Sequence, residues 1–212
     1  TSFLVQANEV LKSKNSKQTG FEEKKLSEVE ELLGSDSDSI AIEANPLIDL
    51  IKPGPAYPGG PIIASFDTKD KTIISEYLSY PEITSLLLPS QRYVKFLWGI
   101  PISVEDGTEI VNLYALKGNR ENKPQLSGAV ITDASQQFQI DGVTPAVSMQ
   151  MNSTGAKIWE EMTGNAFTQG SQIAIVLDDI VYSAPGVTTG PISGGSSEIS
   201  GSFTIQEAQD LA

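Results

Sequence analysis

The chain has 212 residues and a formal net charge of −13, and it contains neither histidine nor cysteine. That length allows one large domain or two small ones, each with its own core. The acidity argues against nucleic-acid binding and against docking on anionic lipid, because both need clustered basic residues. The missing residue types exclude Ser-His-Asp triads, Cys/His nucleophiles, disulfides and zinc sites with thiolate or imidazole ligands.

No run of about 18 apolar residues is present, so no segment is expected to span a membrane. The first residue is Thr1 and no signal peptide follows it. We therefore expect the chain to be a fragment of a longer protein.

The first half is predicted to be helical at first and then to form a β-hairpin. The predicted elements are helices at 2–12, Phe21–Leu33, Phe66–Tyr80 and Glu82–Leu88, and strands at Tyr93–Trp98 and Thr108–Leu116. The third helix has Asp67 or Thr68 as its expected cap and Ile73 among its inward-facing residues. Ala44–Pro61 is rich in Pro and Gly, so it should be irregular. Ser35–Ser39 (SDSDS) lacks the glycine and the bidentate glutamate of an EF-hand loop, so no metal site is predicted.

A change in composition marks a subdomain boundary near Gly118–Ser127 (GNRENKPQLS). From Pro124 onward the chain has one basic residue, Lys157, whereas nine residues are acidic. We therefore predict two subdomains, at 1–123 and 124–212.

The second subdomain is predicted to be α+β, with helices on one face of a mainly antiparallel sheet. The predicted elements are a short helix near Ile131–Phe138, a strand at Ala146–Met151, a helix at Ser153–Thr163 ended by Gly164, strands at 172–177 and Ile180–Tyr182, a further strand after the glycine-rich loop, and a helix capped by Thr204 and Glu207. Both faces of the strand at 172–177 are apolar from residue 173 onward, so it should be central or well covered in the sheet.

The candidate catalytic residues are better explained as structure. Asp178-Asp179 separates two β-prone runs, so it is interpreted as a hairpin turn rather than as an acid/base pair. Glu160-Glu161 should lie on an outer helix face. No carboxylate pair stands out for glycosidase chemistry, and we predict no catalytic, cofactor-binding or metal-binding residue.

The segment Gly186–Gly201 (GVTTGPISGGSSEISG) lacks the Gly-Lys-Ser/Thr of a phosphate-binding loop. It is predicted to be a flexible or extended loop that binds a peptide weakly and adaptably. The candidate contact residues are Gly186, Gly190, Gly194, Gly195 and Gly201.

Four stretches of the second half, in this order, resemble the first periplasmic domain of the SecD family. They are LSGAVITDA, AVSMQMNSTGAKIWEEMTG, IAIVLDDIVYSAPGV and ISGSFTIQEAQDLA. The resemblance covers Leu126–Ala212, and it departs from the family at Asp179, where a glycine is usual. Residues 1–123 match only loosely, through NLYALKG.

The resemblance implies a ferredoxin-like base portion with a helical or irregular insertion at about 12–90, followed by an α+β head. It also implies a non-enzymatic, extracytoplasmic domain of a SecDF protein-export membrane protein, without a cofactor, on the periplasmic face of the inner membrane. Its expected partners are unfolded preprotein and, through the full-length protein, SecF and the SecYEG channel. The head would hold the emerging polypeptide and swing relative to the base, driven by proton flow through residues outside this chain.

The hinge for that motion is predicted near Gly118–Ser127, with Gly118, Pro124 and Gly128 as the candidate hinge residues. Two alternative functions stay open at this point. A secreted hydrolase using carboxylates alone would need two convergent acids with at least one raised pKa. A passive scaffold or adhesion domain would need a permanent partner and a large apolar patch.

Overall fold

A computed structural model describes residues 3–15, 45–105, 107–201 and 203–212. The predicted helix at Phe21–Leu33 and the SDSDS loop lie outside these residues. The described residues form two compact units, one from 1–53 with 66–92 and the other from 54–65 with 93–212. The architecture is α+β with two sheets that are mostly antiparallel, which confirms the predicted fold class.

The first unit contains the predicted N-terminal helix, α1, at 3–15. Its buried residues Leu4, Ala7 and Leu11 recur at helical spacing. Asn8 is also buried, and its Oδ1 accepts hydrogen bonds from the backbone N–H groups of Leu47 and Ile48 at 3.1 and 3.3 Å. A buried polar side chain is thereby satisfied by the segment that follows residue 45.

Two further helices of the first unit are α2 (Lys71–Ser79) and α3 (Pro81–Thr84). The prediction that a helix begins at Phe66 is wrong, because Phe66 is buried in a strand and a 3₁₀ turn at Thr68–Asp70 precedes α2. Asp67 makes no side-chain cap hydrogen bond. Ile73 is exposed rather than inward-facing, whereas Ile74 and Leu78 form the buried stripe.

The larger sheet has the strand order β1-β2-β5-β3-β9-β8, with β4 also paired to β5. Its strands are β1 (Ile51–Lys52), β2 (Ile62–Asp67), β3 (Lys95–Gly99), β4 (Ile102–Ser103), β5 (Glu109–Leu116), β8 (Ile175–Leu177) and β9 (Ile180–Ser183). The predicted hairpin of β3 and β5 is confirmed as an antiparallel pair. Strand β9 joins β3 in parallel, and Leu97, Tyr114 and Val181 are buried together there.

The prediction that the strand at 172–177 is central or well covered is wrong. Strand β8 is the last strand of its sheet, and Val176 and Leu177 are 40% and 38% exposed. The apolar run on both faces reflects β-propensity, while the sheet order leaves the strand at an edge.

The smaller sheet has the antiparallel order β10-β7-β6. Its strands are β6 (Ile131–Phe138), β7 (Pro145–Met151) and β10 (Ser196–Ser200). The prediction of a helix at Ile131–Phe138 is wrong, because this stretch pairs with β7 along its length. Pairing with a neighbour outweighs the weak intrinsic preference of its Ser and Gln residues.

Helices α4 (Ser153–Gln169) and α5 (Ile205–Leu211) pack on one face of the smaller sheet. The core of this layer contains Val147, Met149, Met151, Trp159, Ile199, Phe203 and Ala208. Asn152 caps α4 by accepting hydrogen bonds from the N–H groups of Thr154 and Gly155. Helix α4 runs past Gly164, the predicted end, to a left-handed Gly170 with φ of 62°.

Candidate functional site

The acidic pair Asp178-Asp179 forms the turn between β8 and β9. Both residues have positive φ, 49° and 61°, as a two-residue hairpin turn requires. The carboxylate of Asp179 accepts a hydrogen bond from Lys95 Nζ at 2.8 Å, which connects the turn to β3. The pair is therefore a structural turn, as the sequence predicts.

Among the residues that the structure describes, three carboxyl groups have a pKa below the ordinary value. Lys14, through a hydrogen bond at 3.0 Å, lowers the pKa of Glu82, and Thr144 lowers that of Asp141. Desolvation opposes ionisation of Asp67, but Lys52 and Lys69 outweigh it and lower its pKa. A carboxylate hydrolase needs at least one carboxyl group whose pKa is raised.

Residues 191–195 of the candidate peptide-contact loop lie against α4, whereas Ser196–Ser200 form strand β10. The backbone N–H of Ile192 donates to Thr163 Oγ1 at 2.8 Å, and that of Met151 donates to the carbonyl of Gly195 at 2.7 Å. A Cβ atom on Gly164 would lie 3.2 Å from Pro191 Cγ, so loop and helix are in close contact. The loop between Gly190 and Gly195 is therefore docked rather than extended.

The five candidate glycines occupy different environments. Gly186 is exposed and forms an isolated bridge with Gln172, while Gly190 and Gly195 are buried. Gly194 is exposed, and Gly201 follows directly after strand β10, where a Cβ atom would lie 3.0 Å from Phe203. The structure does not bring these five residues together as one surface, and their contact with a peptide stays a prediction.

The predicted hinge segment is internally hydrogen-bonded. Asn119 Oδ1 accepts from the N–H groups of Glu121 and Lys123 at 3.0 and 3.3 Å, and Asn119 Nδ2 donates to the Lys123 carbonyl at 2.7 Å. A Cβ atom on Gly118 would lie 1.9 Å from the Tyr93 carbonyl oxygen, so only glycine fits there. This closed turn stiffens the start of the segment.

Pro124 and Gly128, the other two candidate hinge residues, are exposed, and a Cβ atom on Gly128 would meet nothing within 4 Å. Any bending of this segment is therefore less restricted at Pro124–Gly128 than at Gly118. All three candidates lie inside the second unit, and their role as a hinge stays a prediction.

Sequence reasoning missed the β6–β7 hairpin and its exposed apolar tip. Phe138, Ile140 and Val143 are 48%, 108% and 76% exposed. Asp141 Oδ1 accepts from the backbone N–H groups of Val143 and Thr144, both at 2.9 Å, so this tip is ordered. The Asp141-Gly142 dipeptide, a common hairpin turn, was the sequence signal that could have revealed it.

Residues 112–212 match a family model described as SecDF, P1 head subdomain. This part of the chain is similar to the P1 head subdomain of SecDF. The resemblance to the first periplasmic domain of SecD is thereby confirmed. The P1 head match begins within β5, so it includes the smaller sheet with both its helices and the β8–β9 hairpin.

Protein translocase subunits SecD from two organisms are similar to the chain. That of Rhodothermus marinus is 39% identical over 168 residues, covering 79% of this chain and 25% of that protein. That of Calditerrivibrio nitroreducens is 45% identical over 87 residues, covering 41% of this chain and 16% of that protein. The chain thus spans about a quarter or less of the curated relatives it matches.

A solved structure described as "Structure and function of a membrane component SecDF that enhances protein export" is 37% identical, with a TM-score of 0.37. The match covers 46% of this chain and 43% of that one. Within the described ranges, no helix is long and apolar enough to cross a membrane. The same ranges contain no group of three or more acidic residues placed to hold a metal ion.

Proposed function

We propose that the chain is an extracytoplasmic part of a SecD subunit that assists protein export by transiently binding emerging unfolded polypeptide. The observation that carries the proposal is the match of residues 112–212 to the P1 head subdomain, together with relatives that are named protein translocase subunits. The corresponding location is the periplasmic face of the inner membrane. SecF and the SecYEG channel are partners through the full-length protein, and proton flow through its membrane part drives the cycle.

The charge of the head supports a binding preference. From Pro124 onward nine acidic residues face one basic residue. An acidic surface attracts basic segments of an unfolded chain and repels acidic ones. The head should therefore favour basic stretches of preprotein.

Within the candidate loop, the exposed part is the one suited to a first contact. Gly186, Thr188 and Thr189 are exposed, whereas the later part of the loop lies on α4. A polypeptide can reach this exposed part without displacing the loop from the helix. The contact segment is therefore proposed to be Gly186–Thr189.

Site-specific crosslinking tests this proposal. A photoreactive amino acid at Thr188 of the full-length subunit should form adducts with a preprotein stalled during export. The matched control places the same residue at Glu161, an exposed position on α4. Adducts at Thr188 and at neighbouring head positions support the proposal, and their absence from every head position would overturn it.

We also propose that the head moves relative to its base about the segment Gly118–Ser127. Strand β9, within the head match, pairs in parallel with β3 through two residue pairs, Trp98–Ile180 and Gly99–Val181. Movement of the whole head requires this short ladder to separate. A ladder of this length can open at a lower free-energy cost than a long one, since each hydrogen bond makes a net contribution of about 1 kcal/mol to stability.

A covalent lock tests the motion. Lys95 and Asp179 face each other across β3 and the β8–β9 turn, and both side chains are partly exposed. In the cysteine-free background, Lys95→Cys with Asp179→Cys can be joined by a short bifunctional maleimide. If crosslinking slows export in the double variant but not in either single variant given the same treatment, the result supports the motion. Unchanged export in the locked protein contradicts it.

A further inference from the structure

The smaller sheet has an unpaired edge at β6. In the order β10-β7-β6, β6 is the last strand, and no strand of the described residues pairs with its outer side. The backbone N–H of Gln139 donates to the Thr144 carbonyl at 2.9 Å, which fixes the alternation of the ladder. Antiparallel residues alternately direct both main-chain groups towards the partner strand and away from it.

In this register, Ser135 and Gln137 direct their N–H and C=O groups to β7, opposite Ser148 and Ala146. The intervening residues therefore direct theirs outward. These outward-facing residues are Ala134, Gln136 and Phe138. Together they present three successive sets of main-chain donors and acceptors, which is the spacing that an added strand requires.

The opposite edge of this sheet is less open. Strand β10 has Ser200 at its end, and the carbonyl of Ser200 accepts a hydrogen bond from Ser183 Oγ of β9 at 3.5 Å. Part of the outer side of β10 is thus already occupied. Of the two edges, β6 is the one that can receive another strand along its length.

The edge of β6 also lacks the usual protection. Exposed sheet edges in natural proteins commonly carry Lys, Pro or inward-pointing charges that prevent another strand from pairing. The stretch Ala134–Phe138 (ASQQF) contains none of these residues. A register shift between Ile131 and Asp133 disturbs only the beginning of the strand.

Next to this edge, the hairpin tip presents Phe138, Ile140 and Val143 to solvent. The hydrogen bonds to Asp141 hold the tip in one conformation, so the apolar side chains are displayed rather than folded back. Clustered exposed apolar residues of this kind indicate an interaction site. The edge and the tip are continuous along one hairpin.

We propose that an extended segment of unfolded polypeptide adds to β6 as a fourth strand, pairing with the main-chain groups of Ala134, Gln136 and Phe138. The apolar side chains of the segment contact the hairpin tip. This inference rests on the proposed function and names its binding surface. Main-chain pairing suits a partner of variable sequence, because every residue other than proline offers the same donor and acceptor.

A second copy of the chain is a weaker candidate for the same edge. Edge-to-edge pairing would bring together two heads that each carry nine acidic residues and one basic residue from Pro124 onward. Like charges at such a contact oppose association. The acidity instead favours a segment that alternates apolar and basic residues.

The test measures binding of a fluorescein-labelled peptide of alternating valine and lysine to the 212-residue chain by anisotropy. A second peptide has the same side chains but carries an N-methyl group on every amide. Because methylation removes the donors and blocks close approach, its affinity should fall at least about tenfold. This comparison uses the unaltered protein, so it does not depend on the folding of a variant.

A matched pair of variants tests the edge itself. Gln136→Pro removes an outward N–H without removing a hydrogen bond to β7, and it should weaken binding by about tenfold, whereas Gln136→Ala should change it by less than about twofold. Ile140→Ser combined with Val143→Ser should weaken binding without affecting the ladder. Thermal unfolding of each variant confirms that the chain is folded.

The outcomes separate the two proposals. If the chain binds both peptides equally well, the edge proposal is overturned while polypeptide binding by the head stands. If it binds neither peptide and no unfolded protein, both proposals fail. If the unaltered chain forms a dimer and Gln136→Pro abolishes it, the edge pairs with a second copy of the chain. That result would overturn the proposed occupant.

Discussion

Lys95 Nζ lies 2.8 Å from Asp179 Oδ1, and this ion pair joins β3 to the turn between β8 and β9. The side chains are 42% and 74% exposed, so water and salt screen the attraction. It lies where the β8–β9 hairpin joins the other strands of the larger sheet. Its position beside the short β3–β9 ladder makes it a useful probe of that junction.

Asp179→Asn should lower the free energy of unfolding by at most about 1 kcal/mol at low salt, because exposed ion pairs contribute little. The loss should shrink at high salt, where the pair is already screened. Urea denaturation at two ionic strengths measures this difference. Asp178→Asn is the control, since it lies in the same turn with a similar φ. Equal, salt-independent losses in the two variants would contradict an ionic contribution.

Gly195→Ala should destabilise the chain more than Gly194→Ala. Both glycines have positive φ, 77° and 87°, so either substitution introduces backbone strain of about 1–2 kcal/mol. At Gly195 a Cβ atom would also lie 3.0 Å from Ala156 Cβ and 3.1 Å from the Met151 carbonyl oxygen, whereas at Gly194 it meets nothing within 4 Å. The additional loss from crowding should be about 1–3 kcal/mol.

Chemical denaturation of the two glycine variants separates strain from packing, because strain is common to both. The expected result is a lower free energy of unfolding for Gly195→Ala than for Gly194→Ala. Equal free energies would mean that the loop does not pack on α4 as closely as these distances indicate.

Thr144→Val should raise the pKa of Asp141. The hydrogen bond from the Thr144 hydroxyl is the main cause of the lowered pKa, and backbone N–H groups of Thr144 and Val143 add to it. Valine keeps the side-chain shape and removes the O–H donor. An NMR titration of the Asp141 carboxyl carbon measures the shift, and an unchanged pKa would show that the hydroxyl does not contribute.

The same lowered pKa determines how the hairpin tip responds to pH. A carboxyl group whose pKa is lower in the folded chain stabilises the fold above its ordinary pKa. That contribution is lost as the pH falls from the ordinary pKa through the lower folded value. Hydrogen exchange of the amides of Val143 and Thr144 should therefore show weaker protection in that acidic range, and in Thr144→Val the loss should begin at higher pH.

Thr204→Ala should lower the free energy of unfolding by about 1 kcal/mol, the usual cost of losing an N-cap side chain. Thr204 Oγ1 accepts from the Glu207 N–H at 3.1 Å, and Glu207 Oε2 accepts from the Thr204 N–H at 2.7 Å. Helix α5 places Ala208 in the core of the smaller sheet, so its fraying would loosen that core. Thr204→Ser keeps the acceptor and should cost much less; equal losses would argue against the cap.

Features that depend on a few neighbouring residues could be predicted from the sequence. The Thr204–Glu207 capping box and the Asp178-Asp179 turn are both present, because their hydrogen bonds and φ angles are set within four residues. The strand at Ala146–Met151 followed from strict alternation, and Val147, Met149 and Met151 are buried together.

Features that depend on residues far apart in the sequence could not be predicted from it. Strand β6 owes its conformation to pairing with β7, and β8 owes its exposure to its place at the end of the sheet order. Gly164 lies inside α4, where a Cβ atom would be 3.2 Å from Pro191 Cγ, so a contact between residues far apart in sequence favours glycine there. Because the sequence pattern indicates a helix at this stretch, the free edge of β6 could not be predicted from it.

The most direct test of the account is the affinity of the 212-residue chain for the same polypeptide in its unfolded and folded states. Reduced lysozyme alkylated with iodoacetamide, which adds no charge, and native lysozyme are suitable probes, because both are basic and each can be labelled for anisotropy. We expect the unfolded form to bind at least about tenfold more tightly, because only it offers extended main chain and exposed apolar segments. Equal affinity for the two forms, or no binding of either, would contradict it.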